Sequence, residues 1–133
     1  SVEKLNIRNR VKFIGFVQDQ LKSELYHAAD LLVIPSRLEA MSIVVLESAI
    51  TGTPVLMTNT CGLNEMSGEH GGLSVNPDSL SIAEGLRTLL VKHSELALRG
   101  KKLKHYVEKY FNWSSIIKDY VQMYENIILT SNK

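Results

Sequence analysis

Residues 30–57 read DLLVIPSRLEAMSIVVLESAITGTPVLM, and this stretch decides the fold class. Residues 31–34 form a continuous apolar run that stops at a proline, and residues 54–57 form a second apolar run; both patterns are typical of buried strands. Between them, residues 43–51 are apolar over a length that favours a helix, and Gly52 suits the position just past a helix end. The order strand, helix, strand predicts a parallel crossover unit.

The helix prediction for residues 43–51 has a local competitor. Ile43, Val44 and Val45 are β-branched, and such residues lose side-chain freedom in a helix and favour strands. We still expect a helix, because the segment is too long and too evenly apolar for a strand between two others and because Ser42 can cap its start.

Flanking segments extend the pattern. Residues 11–16 are β-branched and aromatic and predict a strand before this unit, and residues 71–75 predict a weaker strand after it. A helix before residue 30 is predicted by apolar residues at helical spacing, Leu21, Leu25, Ala28 and Ala29. We therefore expect residues 1–133 to form a single α/β domain, a Rossmann-like parallel sheet flanked by helices.

The C-terminal part of the chain has a purely helical periodicity. Its first helix starts either at Asp78 or at a capping box formed by Ser81 and Glu84. A second helix is predicted by four residues, Leu96, Leu103, Val107 and Tyr110. A third helix carries an apolar stripe over residues 113–128, and we expect most of that stripe to pack on the sheet of this chain.

Composition and charge exclude several classes of protein. A formal net charge of +1 over 133 residues provides no overall field that would gather nucleic acid. The only cysteine is Cys61, and the first residues lack the apolar run of a signal peptide, so we expect a cytoplasmic protein. Residues 31–93 carry three basic and six acidic groups, whereas residues 94–133 carry seven basic and four acidic groups. The basic groups of this tail cluster at Arg99, Lys101, Lys102 and Lys104.

The sequence lacks the motifs of the common cofactor and metal enzymes. It contains no G-x-G-x-x-G, no Walker phosphate loop and no H-E-x-x-H. The four histidines do not lie at metal-ligand spacing from one another or from Cys61. We therefore expect neither a metal nor a cofactor.

Candidate chemistry lies where the strand at residues 31–34 passes through a loop into the following helix. Open α/β sheets bind ligands at this position, and free N–H groups at residues 42–45 would suit an anion such as a diphosphate. Glu47 lies among apolar residues, so its carboxylate needs hydrogen-bond donors, for which sugar hydroxyls are suitable. On spacing alone, Glu47 could instead lie on a narrow solvent face and Glu39 could be a solvated loop carboxylate.

This segment resembles the signature of the family 4 retaining glycosyltransferases of the GT-B fold. The signature is a Pro-Ser loop, a glutamate, seven residues and a second glutamate, then Gly-x-Pro-Val, and here the glutamates are Glu39 and Glu47. Further family motifs follow in the same order, at residues 11–15, 29–33, 62–65, 72–77 and 111–113. The resemblance therefore covers roughly residues 10–128.

The resemblance implies roles for individual residues. Glu39 would be the catalytic residue that hydrogen-bonds hydroxyls of the transferred sugar, and Glu47 would bind the ribose hydroxyls of a sugar nucleotide, with both carboxylates facing one pocket. The diphosphate would be approached by the backbone of the next four residues, Ala40, Met41, Ser42 and Ile43. Phe16 and Val17 match the positions where relatives contact the base.

The sequence also departs from the family. The loop commonly reads Glu-Gly-Phe-Gly, whereas here Ala40 and Ser42 replace the glycines, which narrows the backbone choices. In relatives an upstream Arg and Lys supply positive charge and an N-terminal domain supplies the acceptor site. Neither is recognisable here, so we expect a truncated donor-binding half without its first two strands, inactive alone. Its exposed strand edges would cause its first strand to rearrange or the chain to self-associate.

The implied function is transfer of a sugar, with retention, from a nucleotide-diphosphate sugar to a saccharide or lipid-linked acceptor, in bacterial polysaccharide or glycoconjugate synthesis. The implied partners are the nucleotide sugar and the N-terminal domain, which the stripe at residues 113–128 could cover. The basic cluster could touch an anionic membrane; the alternative is a solvated helix face. Alternative functions are a non-catalytic α/β binding or assembly module and a GT-B-type sugar-nucleotide epimerase.

Overall fold

The structure is a computed structural model that describes residues 2–131, except for the side chains of residues 115 and 131. Ser1 and residues 132–133, including the last lysine of the basic tail, lie outside the described residues. The strands are β1 (Leu32–Ile34), β2 (Val55–Thr58) and β3 (Leu73–Val75). The α-helices are α1 (Asp19–Ala28), α2 (Ile43–Thr51), α3 (Ser79–Val91), α4 (His93–Tyr110) and α5 (Trp113–Ser131).

The three strands form one parallel sheet in the order β1-β2-β3. Leu32 pairs with Val55, and Leu56 pairs with Leu73. Every residue of the central strand β2 is buried, because helices cover both faces of the sheet. The predicted α/β class, with a parallel sheet flanked by helices, is confirmed.

The core lies on both sides of the sheet. On one side, Val45 of α2 and Leu103 of α4 pack in a cluster with Met57 of β2. On the other side, Leu89 of α3 packs with Leu56. Neighbouring residues of β2 thus face opposite layers, as the alternation of side chains along a strand requires.

Helix α2 confirms the predicted limits, but its cap differs from the prediction. Gly52 follows the helix with a φ of +86°, in the left-handed region. Ser42 occupies the N-cap position without a side-chain capping bond. Its N–H donates instead to the carbonyl of Cys61 at 3.1 Å, so a tertiary contact decides how Ser42 is oriented. Val45 is fully buried, and this burial outweighs the strand preference of the β-branched run.

Helix α3 begins after Asp78, which decides between the two predicted starts. The Oδ1 atom of Asp78 accepts a hydrogen bond from the N–H of Ser81 at 2.8 Å. A short carboxylate at this position satisfies a backbone donor that the helix itself leaves unpaired.

The strand predicted for residues 11–16 is wrong. The segment has no regular secondary structure, and Phe13, Ile14 and Phe16 are 72%, 56% and 90% exposed. A strand needs a partner and a surface to pack on, and within residues 2–131 the sheet contains only β1, β2 and β3. The two expected outcomes, rearrangement of this segment and self-association of the chain, stay predictions.

The expectation that the stripe of α5 packs on the sheet is also wrong. Trp113 is 76% exposed, and Ile117, Tyr124 and Ile128 are more than half exposed. Helices α2, α3 and α4 already cover the sheet, and α5 packs mainly against α4. Only Ile116 of the described stripe is half-buried. No helix within residues 2–131 has the length and apolar character needed to cross a membrane.

Candidate functional site

The loop between β1 and α2 is fastened to the loop that follows β2. The hydroxyls of Thr58 and Thr60 both donate to the carbonyl of Ser36. The N–H of Glu39 donates to the carbonyl of Thr60 at 3.0 Å. Both loops leave the carboxyl ends of neighbouring parallel strands, so the sheet brings them together. The loop that carries Glu39 is therefore held by its neighbour before any ligand binds.

A glycine makes this close approach possible. Gly62 has a φ of +72°, and a Cβ on it would lie 1.9 Å from the carbonyl oxygen of Ala40. A side chain at position 62 would push the two loops apart, because such a distance is far inside van der Waals contact.

Two backbone N–H groups remain available at the start of α2. Ser42 donates to Cys61, and Val45 donates to the carbonyl of Ser42 at 3.1 Å. Among the described residues, no backbone acceptor takes the N–H of Ile43 or Val44. The predicted set of free donors at residues 42–45 is therefore corrected to these two, beside the positive end of the helix.

Two buried polar atoms in the loop that leads into α2 lack hydrogen-bond partners. They are the Oε2 atom of Glu39 and the Oγ atom of Ser42; among the described residues, only Ser67 Oγ is in the same condition. Buried polar atoms are nearly always paired in proteins, because leaving them unpaired costs about 1–3 kcal/mol. The Glu39 carboxylate is suited to accept from a hydroxyl, and the Ser42 hydroxyl can donate to an anion.

Glu47 faces α1 and is bound by two of its side chains. The Nζ atom of Lys22 lies 2.7 Å from Glu47 Oε1, and the hydroxyl of Tyr26 donates to Glu47 Oε2 at 3.0 Å. Burial, the hydrogen bond to Glu47 and the charge of its carboxylate together raise the pKa of Tyr26 to about 12. The Glu47 carboxylate, whose side chain is 33% exposed, thus has hydrogen-bond donors within the chain.

Glu47 lines a cavity of about 210 Å³ between α1 and α2, together with Lys22, Tyr26 and Thr51. Glu39 is not among the residues that line this cavity. Lys22 and Tyr26 hold Glu47 toward α1, and one pocket shared by the two carboxylates stays a prediction. Sequence reasoning missed both partners, although their four-residue spacing places them on one face of a helix that precedes β1.

The other predicted site residues are mostly exposed. Met41 and Ile43 are 50% and 61% exposed at the helix start, and Phe16 is 90% exposed in the segment ahead of α1. Val17, next to it, is half-buried. In the described part of the chain, no cluster of three or more histidine, cysteine or acidic side chains is arranged to hold a metal ion.

Comparison with known proteins places this chain in a family. The family model described as "Glycosyl transferases group 1" matches residues 1–110. An uncharacterized glycosyltransferase of Methanocaldococcus jannaschii is 36% identical over 126 residues, which cover 92% of this chain and 32% of that protein. The chain spans about a third of the length of such curated relatives.

Solved structures show the same fold. Sucrose-phosphate synthase from Thermosynechococcus elongatus superposes with a TM-score of 0.82 at 29% identity, over 97% of this chain and 33% of that one. The Anabaena protein Alr3699/HepE, crystallised in complex with UDP, superposes with a TM-score of 0.81 at 23% identity, over 94% and 35%. The predicted GT-B relationship of the fold is thereby confirmed. This chain belongs to the group 1 glycosyl transferases and forms a glycosyltransferase C-terminal domain.

Proposed function

We propose that this chain binds the sugar-nucleotide donor of a retaining, hexosyl-type family 4 glycosyltransferase. The proposal rests chiefly on the unpaired, buried Glu39 Oε2 and Ser42 Oγ atoms, which lie in the loop that leads into α2. A carboxylate acceptor and a hydroxyl donor in one loop, together with two free N–H groups at the start of α2, match a ligand that combines sugar hydroxyls with phosphate oxygens.

Glu39 and the start of α2 act on the two halves of the reacting bond. The Glu39 carboxylate accepts hydrogen bonds from hydroxyls of the transferred sugar, and its negative charge stabilises the oxocarbenium-like centre as the bond breaks. Ser42 Oγ and the N–H groups of Ile43 and Val44 bind the departing diphosphate, with Ala40 and Met41 contributing backbone contacts. Cations of the protein rather than a metal balance the remaining charge in this proposal. Rigid placement of these groups supplies the positioning that glycosyl transfer needs.

The nucleoside part of the donor lies toward α1. Glu47 accepts from the ribose hydroxyls while Lys22 and Tyr26 hold its carboxylate in place. Phe16 and Val17, just ahead of α1, contact the base. The Anabaena relative of the same fold binds UDP, so UDP is the first nucleotide to test.

The rest of the protein completes the enzyme in this proposal. An N-terminal domain supplies the saccharide or lipid-linked acceptor site and covers the exposed stripe of α5. Further basic side chains, from the rest of the protein, bind the diphosphate. The isolated chain, residues 1–133, binds donor weakly and does not transfer sugar. The full protein acts in the cytoplasm, in bacterial polysaccharide or glycoconjugate synthesis, and the exposed edge of β1 permits self-association.

Nucleotide titration followed by amide NMR tests the donor site. Addition of UDP, and separately GDP, is expected to shift the amides of residues 40–44, and Glu39→Gln and Ser42→Ala are expected to weaken this response. Glu84→Gln, an exposed acid on α3, is the matched control. If neither nucleotide perturbs these amides, even in the full-length protein, the donor assignment fails and the non-catalytic binding module remains. Retention is tested separately, by the anomeric configuration of the product that the full-length protein forms.

A further inference from the structure

A second cavity lies between α4 and the short turn Gly68–His70, which leads into β3. Its volume is about 360 Å³, within the range of roughly 300–1,000 Å³ that is typical of small-molecule sites. The turn adjoins the amino end of β3, whereas the loop with Glu39 follows the carboxyl end of β1. Because the strands are parallel, the amino end of β3 and the carboxyl end of β1 lie on opposite sides of the sheet along the strand direction. The cavity is therefore separate from the proposed donor site.

Positive charge dominates the lining of this cavity. Lys101, Lys102 and Lys109 line it against a single acid, Glu69. The side chain of Glu69 is 88% exposed and lies 3.8 Å from His70 Nε2. Among the described residues, no carboxylate forms an ion pair with Lys101 or Lys102. Adjacent unpaired ammonium groups in a concave site suit a phosphate, whose oxygens accept strong charge-assisted hydrogen bonds.

Aromatic rings form the other part of the lining. The rings of His70 and Tyr106 have centroids 4.3 Å apart, and those of Tyr106 and Tyr110 are 4.7 Å apart. Tyr110 is 50% exposed, so part of its surface is open to a ligand. A tyrosine offers an apolar ring together with a polar hydroxyl, and this combination suits the apolar face and the hydroxyls of a sugar ring.

We propose that this cavity binds a phosphorylated saccharide, with the phosphate on Lys101 and Lys102 and the sugar on Tyr110. The phosphate-bearing sugar can come from a soluble sugar phosphate or from the headgroup of a phosphorylated glycolipid. The site does not depend on the proposed donor function, because it shares no residue with it.

Calorimetric titration of this chain with glucose 6-phosphate at low ionic strength tests the proposal. Glucose 6-phosphate is expected to bind more tightly than either glucose or inorganic phosphate, since only it engages both parts of the cavity. The double variant Lys101→Gln/Lys102→Gln is expected to lose about tenfold in affinity for it. The matched control, Lys104→Gln/Lys118→Gln, removes the same charge from exposed lysines outside the cavity and is expected to leave the affinity unchanged. Tyr110→Ala is expected to lower the affinity for glucose 6-phosphate by about threefold and to leave the affinity for inorganic phosphate unchanged.

A vesicle arm distinguishes the two sources of the ligand. Flotation with phosphatidylcholine vesicles that contain a phosphorylated glycolipid is compared with flotation on phosphatidylcholine alone and on phosphatidylglycerol. Glycolipid-specific flotation that the cavity variant loses and the control variant keeps supports the glycolipid source. Three outcomes would overturn the proposal. The cavity and control variants could lose equal amounts of binding, the chain could bind phosphatidylglycerol vesicles as strongly as glycolipid vesicles, or it could bind neither glucose 6-phosphate nor glycolipid vesicles. Shifts of the residue 40–44 amides by UDP remain an independent readout, so failure here leaves the donor assignment untouched.

Discussion

Replacing Gly62 by alanine tests whether the contact between the two loops organises the candidate donor site. Gly62 has a φ of +72°, and the added Cβ would lie 1.9 Å from the oxygen and 2.7 Å from the carbonyl carbon of Ala40. Both neighbours are backbone atoms, so relief requires one of the loops to move. The hydrogen bonds from Glu39 to Thr60 and from Ser42 to Cys61 join the same two loops, and they are expected to stretch as well.

The magnitude follows from two separate costs. An alanine in the left-handed backbone region lowers the stability of the folded chain by about 1–2 kcal/mol. Overpacking a close contact lowers it by a further amount of about 1–3 kcal/mol. Gly62→Ala should therefore destabilise the chain by about 2–5 kcal/mol. Gly52→Ala is the matched control, because Gly52 has a φ of +86° but a Cβ added to it would meet no described residue within 4 Å beyond its own chain neighbours. The control should lose only the first cost, about 1–2 kcal/mol.

Urea unfolding followed by circular dichroism measures both variants, and amide NMR with UDP measures the site. Gly62→Ala is expected to lose more stability than Gly52→Ala and also to weaken the UDP response of residues 40–44. Gly52→Ala should retain that response, since Gly52 lies at the far end of α2. If the two variants have the same free energy of unfolding, the close contact between the loops does not contribute to stability, and this account of the site is refuted.

Three further predictions concern single hydrogen-bonding groups. Tyr26→Phe removes the hydroxyl that donates to Glu47. Folding raises the pKa of Tyr26 from 10.0 to about 12, so the stability that this hydroxyl contributes is present below pH 10 and lost as the pH rises toward 12. The variant, measured by urea unfolding, should therefore lack this loss of stability at alkaline pH. Asp78→Ala should destabilise α3, and because the N–H and hydroxyl of Ser81 lower the pKa of Asp78 from its usual 3.8, the difference from the parent should vanish as the pH falls below that value. Ser42→Ala removes a buried, unpaired hydroxyl, so stability should stay equal or rise by about 1 kcal/mol while the UDP response weakens.

Each of these predictions has a contrary outcome. An unchanged alkaline stability profile in Tyr26→Phe would contradict the raised pKa of Tyr26, which rests on the burial of its hydroxyl and on the hydrogen bond to Glu47. Thr88→Ala, on the exposed part of α3, controls for Asp78→Ala, and an equal pH dependence in both would argue against the cap. A clear loss of stability in Ser42→Ala would mean that its hydroxyl has a partner within the folded chain.

Features that depend on nearby residues could be predicted from the sequence. The limits of α2 follow from a long apolar segment that ends at Gly52, and the strands at β1 and β2 follow from short apolar runs bounded by proline. The start of α3 at Asp78 was one of two predicted options, both of which rest on local hydrogen bonding. The sequence also predicts that the loop with Glu39 follows the carboxyl end of β1. In a parallel sheet all carboxyl ends lie on the same side, so chain direction alone determines this position.

Features that depend on distant partners were decided only by the tertiary structure. Residues 11–16 have strand propensity but no neighbouring strand, so they stay outside the sheet, and the apolar stripe of α5 stays exposed because other helices already cover both faces. Lys22 and Tyr26 reach Glu47 across two helices, and the cavity beside α4 combines residues about thirty positions apart in the chain. Propensity is a property of a segment, whereas burial and pairing are properties of the surroundings that the whole fold creates.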